Sequence, residues 1–188
     1  MQRIVLRFGL ASGGLLLALS AVTLPLCMSG RIGRIQFDHM EVVGYGVMVL
    51  AFLFVFFGVK SYRDSVGAGA IGFGKAFTVG LLITLITCAI YVIAWEITYY
   101  NFIPDFMDKY SAHVLERMRA AGASEAAIHD QAMQLAQMAK LYKIPLYNVG
   151  ITFMEVFPVG LIVTLVSAAI LRRKPGRTAP AAAGAPSL

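Results

Sequence analysis

A carboxylate three residues ahead of a proline, set inside a long apolar run, is the pattern in this chain with the most chemistry in it. Tyr147 to Leu171 reads YNVGITFMEVFPVGLIVTLVSAAIL and closes on the basic stop Arg172, Arg173 and Lys174. Pro158 has no backbone N–H, so the carbonyl of Met154 loses its helical partner next to Glu155. A carboxylate in apolar surroundings is costly unless it is protonated, paired or wetted, so Glu155 is expected to be in one of those three states. Two further acids flank apolar runs, Glu41 ahead of Val42–Val59 and Glu96 within YVIAWEITYYNF. The candidate binding residues are therefore Glu155, Glu41 and Glu96, with Pro158 as a point of flexure and Arg31 and Arg34 as ion-pair partners. Lys143, His39 and the hydroxyls of Tyr45, Tyr99 and Tyr147 complete the set of possible partners. One reading has the acids pairing with these bases to lock the ends of a helix bundle; the sharper one has them binding a cation or carrying protons.

Other chemistries find less support. His39, His113 and His129 show no HxxxH or HxxE spacing that would put two ligands on one helical face, so no metal site is expected. No serine, cysteine or histidine constellation supplies an activated nucleophile; neither an enzymatic activity nor a cofactor is expected. Cys27 and Cys88 each sit in an apolar run at different depths and carry no redox role. Gly67, Gly69 and Gly72 satisfy GxGxxG, while Gly69, Gly74 and Lys75 satisfy GxxxxGK. Both patterns require a preceding strand, and the second requires Ser or Thr where this chain has Ala76. A glycine-rich turn between two helices is the expectation, with no nucleotide bound.

The elements that must position these residues are membrane helices. Hydrophobic residues make up 59% of the 188 and charged ones only 14%, against about a quarter in soluble domains. The net charge of +6 comes from Lys and Arg at the edges of apolar runs, which reads as membrane topology and not as a nucleic-acid surface. Four runs have spanning length: Phe8–Met28, Val42–Val59, Ala76–Tyr100 and Tyr147–Leu171. The first is too long for the apolar core of a signal peptide and no small-x-small cleavage pattern follows it. Its Gly9 and Gly13 form a small-xxx-small spacing that either admits a neighbouring helix or reflects the frequency of glycine in such spans. Tyr91, Trp95, Tyr99 and Tyr100 crowd the end of the third run as interfacial aromatics do.

Between the third and fourth runs, residues 104–145 form the one sizeable hydrophilic part. Phe106, Tyr110, Val114 and Met118 make one helical stripe, and Ile128, Leu135, Met138 and Tyr142 another, separated by a glycine stop at Gly122 and a serine cap at Ser124. The pattern predicts a helical hairpin, its first helix continuing from the third span with a kink at Pro104 and its second feeding the fourth span through Pro145. Residues 1–174 thus read as an all-α, four-span membrane bundle with an extracytoplasmic helical hairpin, and 175–188 as a disordered Ala/Pro-rich tail.

The basic residues orient it. The two termini and the 60–75 turn carry nine Lys and Arg in short segments, while the other side carries seven, five of them diluted through the hairpin among five acids. Short, strongly basic segments belong in the cytoplasm, which places both termini inside. Glu41 lies 19 residues from Lys60, Glu96 21 from Lys75 and Glu155 17 from Arg172. Those separations correspond to heights of about 28, 31 and 25 Å, which puts the three acids near one level at the outer hydrocarbon edge.

The order Glu41-Val-Val-Gly44-Tyr45, FFGVKSYRD, GFGKAFTVGL, an aromatic-rich third span, a helical insert and Glu155-Val-Phe-Pro158-Val-Gly160-Leu161 before a basic stop resembles the bacterial membrane proteins grouped as domain of unknown function 4199. The resemblance covers about residues 5–174. It implies a four-span protein of a bacterial cytoplasmic (inner) membrane in which Glu41, Glu155 and the FGKAF turn recur. It brings no established activity. From the residues, the expectation is a non-enzymatic accessory or interaction protein embedded in the lipid bilayer, acting as a homo-oligomer or on a membrane-protein partner through the hairpin. The alternative is a small oligomeric proton- or cation-coupled transporter or channel built on the carboxylates.

Overall fold

The structure is a computed structural model that describes the backbone of residues 1–28 and 40–173 and the side chains of residues 1–23 and 42–173. Arg31, Arg34 and His39, the side chains of Cys27 and Glu41, and the tail 175–188 lie outside the described residues. The described chain forms α1 (Gln2–Met28), α2 (Met40–Ser65), α3 (Phe73–Asn101), α4 (Phe106–Ala120), α5 (Glu125–Tyr142) and α6 (Pro145–Leu171), with no strands. Helices α1, α2, α3 and α6 contain the four stretches long and apolar enough to cross a membrane.

The helices outrun the apolar runs because a charge ends an apolar run without ending a helix. Thus α2 carries Lys60 and Arg63 in its last turns and stops only where the backbone turns left-handed, at Ala68 (φ 47°) and Gly69 (φ 82°). In the turn that follows, Gly67 donates to the Tyr62 carbonyl (3.1 Å), Gly69 to Arg63 (3.0 Å) and Ala70 to Gly67 (2.9 Å). Ile71 then exchanges both backbone hydrogen bonds with Arg173, at 3.0 and 2.9 Å. Phosphate loops work by presenting unclaimed backbone N–H groups. Here those of residues 66, 67, 69, 70 and 71 are committed, and the string forms the turn between α2 and α3. The same bridge fastens the α2–α3 turn to the end of α6, at one end of the bundle.

Helix α3 makes its widest contact with α6; α1 packs on α2 and α3, α2 also packs on α6, and a narrower α2–α3 contact crosses the centre. Lipid tails are as apolar as leucine, so burial of apolar surface does not select these contacts; close approach at small residues does. A Cβ at Gly9 would come within 2.8 Å of Ile86, and one at Gly13 within 2.6 Å of Ile90. The small-xxx-small spacing is therefore the α1 seat for α3. A Cβ at Gly160 would sit 2.7 Å from the Phe52 ring and against the Thr84 methyl. Phe52, Val55, Val59, Val79, Ile83 and Val156 are wholly buried around that point. Two polar ties stitch the same core: Ser12 donates to the Ala51 carbonyl (2.8 Å), and the Thr84 and Thr164 hydroxyls meet at 2.9 Å. Such ties average about 0.6 kcal/mol in membranes, so packing remains the dominant contribution.

Helices α4 and α5 pack on each other. Gly122 (φ +74°) and Ala123 close α4 by donating to the Arg119 and Met118 carbonyls, and the Ser124 hydroxyl caps α5 by accepting from the Ala127 N–H (3.3 Å). Two expectations need correction. The third span does not continue through Pro104: α3 stops at Asn101 and α4 starts at Phe106, because proline removes a donor and disfavours helical geometry at Ile103. The buried stripe of α4 is also rotated. Met107 is buried at 4% exposure while Tyr110, at 38%, faces out, as does Met138 of α5 at 42%. Pro145 does open α6, in its first turn.

Gly160→Val is expected to destabilise the protein by about 1–3 kcal/mol through overpacking against Phe52 and Thr84. Gly14→Ala, where a Cβ meets nothing within 4 Å, is expected to be neutral or mildly stabilising. Thermal unfolding of both variants in one detergent checks the contrast.

Candidate functional site

The polar and aromatic side chains of the bundle concentrate where α3, α5 and α6 meet. On α3, Tyr91, Trp95 and Tyr99 recur every four residues and so share a face. On α6, Asn148, Thr152 and Glu155 stand at i, i+4 and i+7, again one face. The two faces meet at Trp95, whose indole N–H donates to Asn148 Oδ1 at 3.2 Å. The Thr152 hydroxyl donates to the same oxygen at 3.3 Å. An indole can only donate, so the amide orientation of Asn148 is dictated and its oxygen must face Trp95. Its Nδ2 is consequently left buried with no hydrogen-bond partner, in a residue at 0% exposure.

Aromatic rings extend this node into the α4/α5 pair. Trp95 stacks on Tyr99 at 6.5 Å and meets Phe106 of α4 edge-on at 5.3 Å, while Tyr99 meets Tyr142 of α5 at 5.4 Å. The Tyr100 hydroxyl donates to the Lys143 carbonyl (3.2 Å), closing the base of the pair. Of these aromatics, Tyr99 is 2% exposed and serves as a joint between helices, while Tyr100 is exposed at 42%. Burial holds the Tyr142 phenol above the ordinary tyrosine value.

Glu155 lies on the exposed side of the bundle, next to this node. Trp95–Asn148 at one end and Thr84–Thr164 at the other set the register of α3 against α6, and Tyr91 falls opposite Glu155. Glu96 is half-buried one residue past Trp95, and its Oε1 is buried with no hydrogen-bond partner. Pro158 leaves α6 unbroken; the helix runs through it to Leu171. Glu41 starts the second span in the first turn of α2, while Arg31 and Arg34 fall in the segment that is not described. Tyr45 and Tyr147 are both exposed, and Lys143 enters the site through its carbonyl. Among the described residues, no three of His, Cys, Asp or Glu come together as a metal site.

Sequence reasoning missed Asn148 and Thr152. The signal was there, since with Glu155 they form a polar stripe at helical spacing along an otherwise apolar face. The residues of this joint lie within a stretch matched by one family profile, which covers residues 7–173. The chain belongs to the family described as Protein of unknown function (DUF4199). The match takes in all four apolar helices and the α4/α5 pair of this member of the family. No curated protein and no solved structure matches the chain.

Asn148→Leu would strip both Trp95 and Thr152 of their acceptor, at about 1–3 kcal/mol for each group left unsatisfied. The expected outcome is a lower melting temperature together with a shift in the emission of Trp95, the one tryptophan of the chain. Tyr142 gives a pH signature. Its raised folded-state value favours the protonated phenol in the native state, so this contribution is whole below the ordinary tyrosine value of about 10 and is lost as pH climbs through the higher folded value. The stability difference between wild type and Tyr142→Phe is expected to be flat from pH 7 to 9 and to shrink above about 10, measured by thermal unfolding across that range.

Proposed function

We propose that this member of the family is a non-enzymatic accessory or interaction protein of a bacterial inner membrane, with both termini cytoplasmic and the α4/α5 pair presented outside as a helical hairpin. The observation that carries this reading is the joint itself. Trp95, Tyr99 and Tyr100 of α3 clamp Phe106, Tyr142 and Lys143 at the base of the pair, giving it a rigid mount on the spans. A rigidly held, solvent-facing pair that keeps Tyr110, Met133 and Met138 exposed suits the capture of a protein partner or a second copy. The competing reading, a proton- or cation-coupled transporter or channel, meets a filled core: Phe52, Val55, Val59, Ile83 and Val156 occupy the centre of the bundle. Exposure of Glu155 on the flank keeps that reading alive only for an oligomer that gathers several copies of the acid.

The test exploits Lys109 and Lys140, both exposed on the pair. A membrane-impermeant lysine crosslinker added to intact cells is expected to trap the wild-type chain in a larger species through these two residues. A chain in which a short Gly/Ser linker replaces residues 102–144 is expected to escape; the Tyr100–Lys143 contact shows that such a linker has little distance to cover. Equal trapping of both chains through Lys60 or Lys75 would overturn the reading and the orientation together.

A further inference from the structure

Two arginines of α1 point away from everything that helix packs on. The packing face is fixed by contacts: Gly9 and Gly13 receive Ile86 and Ile90 of α3, a Cβ at Gly58 of α2 would come within 3.1 Å of Phe8, and the Ser12 hydroxyl reaches the Ala51 carbonyl at 2.8 Å. Arg3, Arg7, Ala11, Gly14 and Ala18 recur at spacings of four, four, three and four, which puts them together on the opposite face. All five are exposed, and a Cβ at Gly14 would meet nothing within 4 Å.

The same contacts give the depth of Arg7. With Gly9 level with Ile86 and Gly13 with Ile90, Arg7 is level with Thr84. Thr84 lies nine residues past Lys75, and its partner Thr164 lies eight residues ahead of Arg172. The Arg7 backbone therefore sits about 12–13 Å inside the level of those two cations, within the first span. A guanidinium at that depth runs its stem along apolar surface and turns its head to the polar layer, and the lean of helical side chains toward the N-terminus favours that direction here. Arg3 stands one turn nearer the surface on the same face.

The chain offers these arginines no counter-charge. Among the described residues, neither guanidinium has an ion pair or a hydrogen bond. Asp64 is the described acid at this end of the bundle, and Arg63 already holds it at 2.7 Å. No Asp or Glu follows Glu155 in the sequence, so the residues after Arg173 supply none. A second copy docked through this face about a two-fold axis would set Arg7 against Arg7, like charge on like charge.

We propose that the outward face of α1 binds an anionic phospholipid, with Arg3 and Arg7 holding its phosphodiester and an acyl chain lying along Ala11, Gly14 and Ala18. Two guanidinium forks one turn apart suit phosphate oxygens, which accept paired N–H donors. A zwitterionic headgroup carries its own cation to compete for that phosphate, so the site favours a lipid with net negative charge. The small residues select nothing alone; they leave room for the chain beneath the charge that does the selecting. The inference is independent of the α4/α5 pair and of whatever that pair contacts.

Native mass spectrometry of the full-length protein, titrated in detergent with phosphatidylglycerol or with phosphatidylcholine of the same acyl chains, reads the preference. The first phosphatidylglycerol is expected to bind at least about tenfold more tightly than phosphatidylcholine, and the Arg3→Gln/Arg7→Gln double variant is expected to lose that difference. A phosphatidylglycerol carrying a photoactivated diazirine on one acyl chain then locates the site in the native chain. Adducts are expected on residues 11–18, suppressed by unlabelled phosphatidylglycerol and not by phosphatidylcholine. Equal affinity for the two lipids, a preference untouched in the double variant, or adducts spread evenly over the four spans would overturn the proposal. So would a membrane protein that co-purifies with the wild type and is lost from the double variant while the lipid preference stays, since that result assigns the arginines to a partner's carboxylate. The labelling needs no substitution, so it decides the matter even where the variant fails to insert or fold.

Discussion

Gly160 gives up a side chain so that Phe52 and Thr84 can occupy its space, and the arrangement of the spans follows from that one exchange. In a bilayer the apolar faces of the four helices have nothing to gain from one another that lipid does not already offer. Contact is decided by where backbones can approach. Gly160 lets α6 close on α2 and α3 together, Gly80 lets α3 close on Thr164, and Gly9 and Gly13 receive Ile86 and Ile90 from the opposite side. With those seats taken, the Thr84–Thr164 and Ser12–Ala51 hydrogen bonds fall into place as register pins and not as the source of association.

The end of the bundle that carries the α4/α5 pair obeys a different rule. There, α3 and α6 are held by a single amide oxygen that accepts from both Trp95 and Thr152, and the rings around it carry the connection onward to α4 and α5. Polar contacts at this level are well placed, since competition from water is weak and a missed partner is costly. The one donor left over, Asn148 Nδ2, marks the spot where the node is incomplete within the described chain. Glu155 sits two turns along the same stripe, so the packed joint and the exposed acid belong to one continuous face of α6.

How much of this could be read from the residues divides along the same line. Spanning helices announce themselves by length and apolarity, and Gly122 with Ser124 announces the α4–α5 turn by well-known cap chemistry. The glycine-rich string between α2 and α3 was legible as a turn because Ala76 stands where a phosphate-loop motif carries Ser or Thr and the string follows a helical run instead of a strand. Rotation about a helix axis was harder. Tyr110 and Met107 are three residues apart and both apolar enough to be buried; only the neighbour that covers Met107 decides between them. Pro104 misled for a related reason, since a proline in an amphipathic region signals a kink or a stop equally well. The acids were found by type, but the joint at Trp95 and Tyr99 draws side chains from α3, α4, α5 and α6, and spacing along one helix cannot reveal a meeting of that kind.

The bridge between Ile71 and Arg173 has a bearing on what this end of the molecule tolerates. Both of its bonds run from main chain to main chain, so no side chain at either position is needed to make them. Substitutions there leave the tether intact unless they introduce proline, which lacks the donor. The register of the closing helix against the glycine turn is thereby insulated from changes in residue type on either side of it. Arg173 is thereby held alongside the α2–α3 turn whatever side chain stands at either end of the bridge.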